Sequence, residues 1–176
     1  MRTIKGPGIF LAQFISDKAP FNNLDSICRW ASDLGYKAIQ LPTLDDRFID
    51  LKLAAESKVY ADELNGKINS YGLVISELST HIQGQLVAVH SAFDTLFDGF
   101  APKEIQNNPK GRTEWAIQQL KYAARASRHL GLGTHATFSG SLLWHTFHPW
   151  PQRPVGLVEE GFKELAKRWT PILNAF

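Results

Sequence analysis

The sequence predicts an α/β chain made of four successive βα units. Three observations carry the prediction. Short apolar runs alternate with longer stretches in which apolar residues recur every three or four positions. Three of the helical stretches end in Leu-Gly or Tyr-Gly just before a strand, at Gly35, Gly72 and Gly131. The chain has 176 residues, 44% hydrophobic and 20% charged, enough for a sizeable core in one domain spanning 1–176.

The elements follow in order. GIFLAQF, residues 8–14, comes after a Gly-Pro-Gly turn signal and is predicted as a buried strand. In NLDSICRWASDLG, Ile27, Trp30, Ala31 and Leu34 recur at helical spacing. YKAIQLP, stopped by Pro42, is the second strand. A loop with TLDDRFID leads to one long helix whose inner face takes Leu53, Ser57, Tyr60, Ala61, Leu64, Ile68 and Tyr71. LVISELSTH is the third strand. LVAVHSAFDTLF is expected to be an extra helix, with Leu86, Val89, Phe93 and Leu96 on one face. APKEIQNNPKG is a loop before the helix RTEWAIQQLKYAARASRHLG, and THATFSG is the fourth strand. The aromatic loop SLLWHTFHPWPQRPVG precedes a last helix in which Val158, Phe162, Leu165, Trp169, Ile172, Leu173 and Phe176 share one side. Pro171 is expected to kink or loosen its final turns.

Strands alternating with helices imply a mostly parallel sheet with right-handed crossovers. Four βα units are half of an eight-unit barrel, and a half barrel has two unpaired edge strands. Another chain completes the sheet, or the sheet is open, or further residues complete it. No GxGxxG follows the first strand and no Walker-type loop is present, so a dinucleotide or P-loop fold has no support. A net charge of +2, with Lys and Arg scattered among acids, argues against a nucleic-acid partner. The single cysteine, Cys28, has no internal disulfide partner, lies in a helix and is expected to pack. The amino terminus lacks signal-peptide features, and no apolar run reaches the roughly 20 residues of a membrane helix. The expected compartment is the cytoplasm, with no membrane partner.

Ligands of parallel α/β sheets sit beyond the carboxyl ends of the strands. Those ends are polar in this chain. Gln13 closes the first strand and Gln40 lies near the end of the second. Strand alternation puts Glu77, Ser79 and His81 on one face, and His135, Thr137 and Ser139 on one face of the fourth strand. Leu78, Thr80, Ala136 and Phe138 would then face the helices. Amides, hydroxyls and imidazoles suit a polyhydroxylated ligand, because each donates or accepts hydrogen bonds. His81 and His135 are possible metal ligands, but neither HExxH nor CxxC is present to complete a site. His90 and His129 are read as structural, and Asp45 and Asp46 as turn or cap residues. His145 and His148 lie in the aromatic loop with Trp144, Phe147 and Trp150, whose rings either cap a sugar ring or pack the loop down.

The segments GPGIFLAQF, LGYKAIQLPT, ELSTHIQGQLVAVH, LFDGFAP, LGLGTHATFSG and WPQRPVGLVEE together resemble the sugar phosphate isomerase/epimerase family, the xylose isomerase-like TIM barrels. The resemblance implies the first four βα units of a TIM barrel, parallel strands with outer helices, incomplete as given. It implies isomerisation or epimerisation of a small carbohydrate with a divalent metal, Mn, Mg, Co or Zn. The metal ligands of epimerase members lie on later strands, so the resemblance assigns this chain no catalytic residue and leaves any metal ligand of its own unknown. It implies substrate contacts from Gln40, His81 and His135, and the expected site adds Gln83 beside them with Trp144 and Trp150 roofing the pocket. The expected partner is a homo-oligomer mate or a second half-barrel, without which no isomerase activity is expected. Two other readings stand beside it, a non-catalytic carbohydrate-binding or assembly module and a zinc endonuclease relative.

Overall fold

A computed structural model describes residues 4–143 and 155–176. The chain divides into two compact units, one within residues 1–80 and 122–136, the other within residues 81–121 and 137–176.

The first unit holds a four-stranded, all-parallel sheet in the order β1-β2-β3-β4. The strands are β1 (Gly8–Phe10), β2 (Ala38–Pro42), β3 (Val74–Ser79) and β4 (His135–Ala136). Between them run helices α1 (Leu24–Asp33), α2 (Leu51–Glu56) and α3 (Lys58–Asn69). Gly35, Gly72 and Gly131 follow helix ends with φ of +87°, +73° and +72°, the left-handed conformation that the Leu-Gly and Tyr-Gly endings predict. One face of the sheet is apolar. Ile39, Leu41, Ile75 and Leu78 pack there against Leu24, Ile27, Cys28 and Ala31 of α1, and against Ala61, Leu64 and Ile68 of α3.

Three elements differ from the sequence expectation. The first strand ends at Phe10 rather than residue 14, because Phe14 turns to pack on Phe21 and Trp30, with ring centroids 5.9 and 4.9 Å away. The long helix is two helices. Ser57 is extended (φ −126°, ψ 111°), and its hydroxyl accepts the Tyr60 N–H, so it caps α3 instead of lying on a buried helical face. The third strand carries a bulge, since Ile39 pairs with Ile75 but Gln40 pairs with Glu77. Ser76 is the extra residue, and its hydroxyl donates to the Ile39 carbonyl.

The second unit begins with α4 (His81–Gln85), followed by α5 (Asp94–Phe97), and short 3-10 turns flank α5. The expected extra helix over residues 86–97 is not formed as one piece. Leu86, Val87 and Ala88 are buried in succession, which no single helical face allows, and Val89 bridges Ser141 in extended form. Helix α6 (Pro109–Leu130) starts earlier than predicted. Pro109 takes its first position and the Asn108 side chain accepts the Gly111 N–H. Ala116 and Leu120 of α6 pack with Leu86, Val87, Phe97 and Ile172. Helix α7 (Leu157–Leu173) contains Pro171 and buries Ile172, while Val158, Phe162 and Leu173 are exposed. Among the described residues no helix is long and apolar enough to cross a membrane.

Arg112 organises the excursion before α6. It is 1% exposed, and its guanidinium donates to the Asp94 carboxylate, to Asp98 Oδ1 at 2.7 Å and to the Asp94 carbonyl at 2.7 Å. Asp98 Oδ2 in turn accepts the Asn107 N–H at 3.0 Å. Removing the guanidinium leaves two carboxylates without their cation. Arg112→Ala is therefore expected to destabilise the protein by about 3–5 kcal/mol, measured by urea unfolding. A loss below about 1 kcal/mol would show that the cluster is no more than a surface ion pair.

Candidate functional site

Parallel register sorts the side chains of the first unit. Residues paired across neighbouring strands point to the same side, and successive residues point to opposite sides. Phe10, Gln40 and Glu77 form one cross-strand row, on the face opposite the helix-packed core. Pro42, Ser79 and Ala136 form the next row on that face. The bulge at Ser76 sets this pattern, allowing both Ile75 and Leu78 to face the core although they are three residues apart.

In the first row, Gln40 Nε2 donates to Glu77 Oε1 at 2.6 Å. The bond is charge-assisted and fixes the orientation of the amide. Both side chains are half-buried. In the second row, Ser79 is 2% exposed and its hydroxyl oxygen has no hydrogen-bond partner among the described residues. The Ser79 carbonyl accepts both the Thr43 N–H at 3.1 Å and the Thr43 hydroxyl at 3.0 Å. Thr80 follows, with its N–H donating to the Ala136 carbonyl at 2.9 Å. An amide, a carboxylate and a buried hydroxyl thus share the face of the sheet opposite its helix-packed core. A cleft of about 1210 Å³ reaches Glu77, lined also by Lys37, Asn65, Asn69, Ser76 and Thr134. It opens from the amino-terminal side of β3, not from the carboxyl ends where sequence reasoning looks for ligands.

Two face assignments need correction. β3 stops at Ser79 and His81 begins α4, so His81 does not continue the strand face of Glu77 and Ser79. The β4 strand is two residues long, and His135 pairs with Leu78. That register puts His135 on the core-facing side, and its Nε2 lies 2.7 Å from the Thr80 hydroxyl. Ala136, expected to face the helices, is on the side of Ser79 instead. Of the predicted binding residues, Gln40 and His135 belong to the first unit, on opposite faces of its sheet, and His81 and Gln83 to the second. Gln83 is 1% exposed. Trp144, Trp150, His145 and His148 lie outside the described residues.

The second unit places α4 against the chain after β4. A Cβ on Gly84 would stand 2.0 Å from the Phe138 carbonyl oxygen and 2.1 Å from Thr137 Oγ1, so only glycine fits. Phe138, expected on a helix-facing side, is 55% exposed, and its ring meets the His81 imidazole at a centroid distance of 4.7 Å. Sequence reasoning missed Phe138 and the Gln40–Glu77 bond. A carboxylate in the middle of an apolar strand is the signal that could have found the bond.

His129, His90 and Asp45 each have a hydrogen-bond partner within the protein. His129 Nδ1 lies 2.9 Å from the Ala54 carbonyl, and His90 Nδ1 accepts the Ala92 N–H. Asp45 accepts the Arg47 N–H at 3.0 Å in a turn, and the Arg47 guanidinium holds its carboxyl below the usual carboxylate range. Among the described residues no three His, Cys, Asp or Glu side chains gather to hold a metal ion.

No protein-family model matches the chain, and no curated protein matches it in sequence.

Cys28 is completely buried, and desolvation pushes its thiol up to about 12, with the Asp25 carboxylate adding to the shift. The thiol stays protonated well above neutrality in the folded state. At about pH 8, where an exposed thiol is partly ionised, iodoacetamide is expected to leave the native protein unmodified over hours. In denaturing urea it should alkylate Cys28 within minutes. Fast native alkylation would contradict a packing role.

Proposed function

We propose that this chain forms the first four βα units of a xylose isomerase-like TIM barrel and supplies the sugar-binding half of an isomerase or epimerase. One observation carries the reading. The sheet runs β1-β2-β3-β4 in parallel, and the face opposite its helix-packed core presents Gln40, Glu77 and Ser79. In a barrel that face looks inward, where polar groups on successive strands meet a ligand.

The chemistry of the row suits vicinal hydroxyls. The Glu77 carboxylate accepts hydrogen bonds, the Gln40 amide both donates and accepts, and the Ser79 hydroxyl does both. The 2.6 Å bond between Gln40 and Glu77 orients the row before a ligand arrives, which lowers the entropy lost on binding. In this reading the chain binds and orients the substrate. A divalent metal would take its ligands from the later strands that carry them in that family. A second half-barrel or a second copy would close the sheet.

Titration of the protein with D-fructose, D-ribulose and D-xylose tests the reading. At least one sugar is expected to bind. Glu77→Ala should weaken that sugar by about tenfold or more, the scale of a lost hydrogen bond to a charged group. Absence of binding to all three, or a Glu77→Ala variant that binds as well as the parent, would overturn the proposal. Repeating the titration with chelator separates a metal-assisted site from a metal-independent carbohydrate-binding module.

A further inference from the structure

We infer that the cleft at the amino-terminal side of β3 binds a small doubly charged oxyanion, a phosphate group or a pair of carboxylates, on Lys5 and Lys37. The inference stands apart from the carbohydrate reading above, because it rests on different side chains.

The cleft holds about 1210 Å³, room for a small metabolite, and all its lining residues belong to the first unit. Its charged lining side chains are the cations Lys5 and Lys37 and the single anion Glu77. Glu77 already directs Oε1 to the Gln40 amide at 2.6 Å. Among the described residues neither lysine forms an ion pair. The walls therefore carry an excess of positive charge. Unpaired ammonium groups lining one cleft repel each other until an anion joins them.

Lys37 is held in place by its surroundings. Its N–H donates to the Pro7 carbonyl at 2.8 Å and its carbonyl accepts the Val74 N–H at 3.1 Å, which ties its backbone to the segments that open β1 and β3. Its stem lies against Gly6. A Cβ at Gly6 would stand 2.5 Å from Lys37 Cγ and 3.0 Å from Lys37 Cβ, and the φ of +127° there is one that L side chains rarely adopt. A freely solvated lysine makes no demand on its neighbours, whereas Lys37 takes the space that a side chain at residue 6 would need. A stem positioned before binding has less rotamer freedom left to lose.

Neutral groups complete the wall. Asn69 ends α3, and its side-chain amide has no partner among the described residues. Asn65 Nδ2 donates to the Leu130 carbonyl at 3.2 Å, and the Thr134 hydroxyl donates to the Ser76 carbonyl at 3.2 Å, which joins the elements around the cleft. Ammonium groups only donate hydrogen bonds, so their ligand must accept them. An oxyanion with several acceptor oxygens meets that need with charge assistance.

The test titrates the protein with inorganic phosphate and with malonate at constant ionic strength, following the Gly6, Lys37 and Thr134 backbone amides by nitrogen-15 NMR. The expected result is a saturable shift with at least one of the two anions and none with chloride. Saturation by phosphate alone supports a phosphate group as the ligand, and saturation by malonate alone supports paired carboxylates. Lys37→Gln is expected to weaken binding by about tenfold, the scale of a lost hydrogen bond to a charged group. Lys52→Gln, which removes a lysine of α2 outside the cleft, should bind as the parent does. Both positions are exposed, so both variants should keep the parent's helix content by circular dichroism. Shifts that chloride reproduces, or equal losses in the two variants, would overturn the site and leave only general surface charge. A protein that binds a sugar and neither anion would overturn this site alone. One that binds an anion and no sugar would support it while the carbohydrate reading fails.

Discussion

The carboxyl end of β3 is tied at two adjacent residues, and much of the first unit's functional geometry depends on that tie. The Ser79 carbonyl takes two hydrogen bonds from Thr43, and the Thr80 N–H goes to Ala136. These bonds hold the chain after β2, the end of β3 and all of β4 in one register. Buried backbone groups must be paired, so a shift by one residue would orphan several of them in a dry site. The same shift would exchange the two faces of the strand, turning Glu77 toward the core and Leu78 away from it. The tie also ends the ladder, and α4 starts one residue beyond Thr80.

The bulge at Ser76 works with this tie. It restores the apolar side of β3 for Leu78 after Ile75, three residues earlier, and puts Glu77 opposite Gln40. A half-buried carboxylate in a sheet is costly unless it is hydrogen-bonded, and the Gln40 amide meets that need. The Ser79 hydroxyl is buried without such a partner among the described residues. A buried hydroxyl without a partner beside a carboxylate that lines a cleft differs from ordinary packing, in which polar side chains are bonded or absent.

Several features were legible in the sequence because they depend on local chemistry. The βα order, the left-handed glycines after α1, α3 and α6, the packing role of Cys28 and the turn role of Asp45 all follow from residues close in the chain. Glu77 and Ser79 share a face because alternation survives beyond the bulge. What escaped the sequence depends on partners far away in the chain. Nothing near Ser76 marks it as a bulge, since the signal is its register against Ile39. His135 reads as pocket-facing until its pairing with Leu78 is known. His81 follows a strand pattern, yet the ladder closes before it and a helix begins. Ser57 and Pro109 were local signals that periodicity overrode, one a cap and the other a first helical residue.

The central claim is that the row of Gln40, Glu77 and Ser79 meets a polyhydroxylated ligand. Its most direct test is the side-chain amide resonance of Gln40, followed by nitrogen-15 NMR as D-fructose, D-ribulose or D-xylose is added. The account predicts that this resonance shifts and saturates with the sugar that binds, together with the Ser79 backbone amide. A sugar that binds while both resonances stay fixed would contradict it.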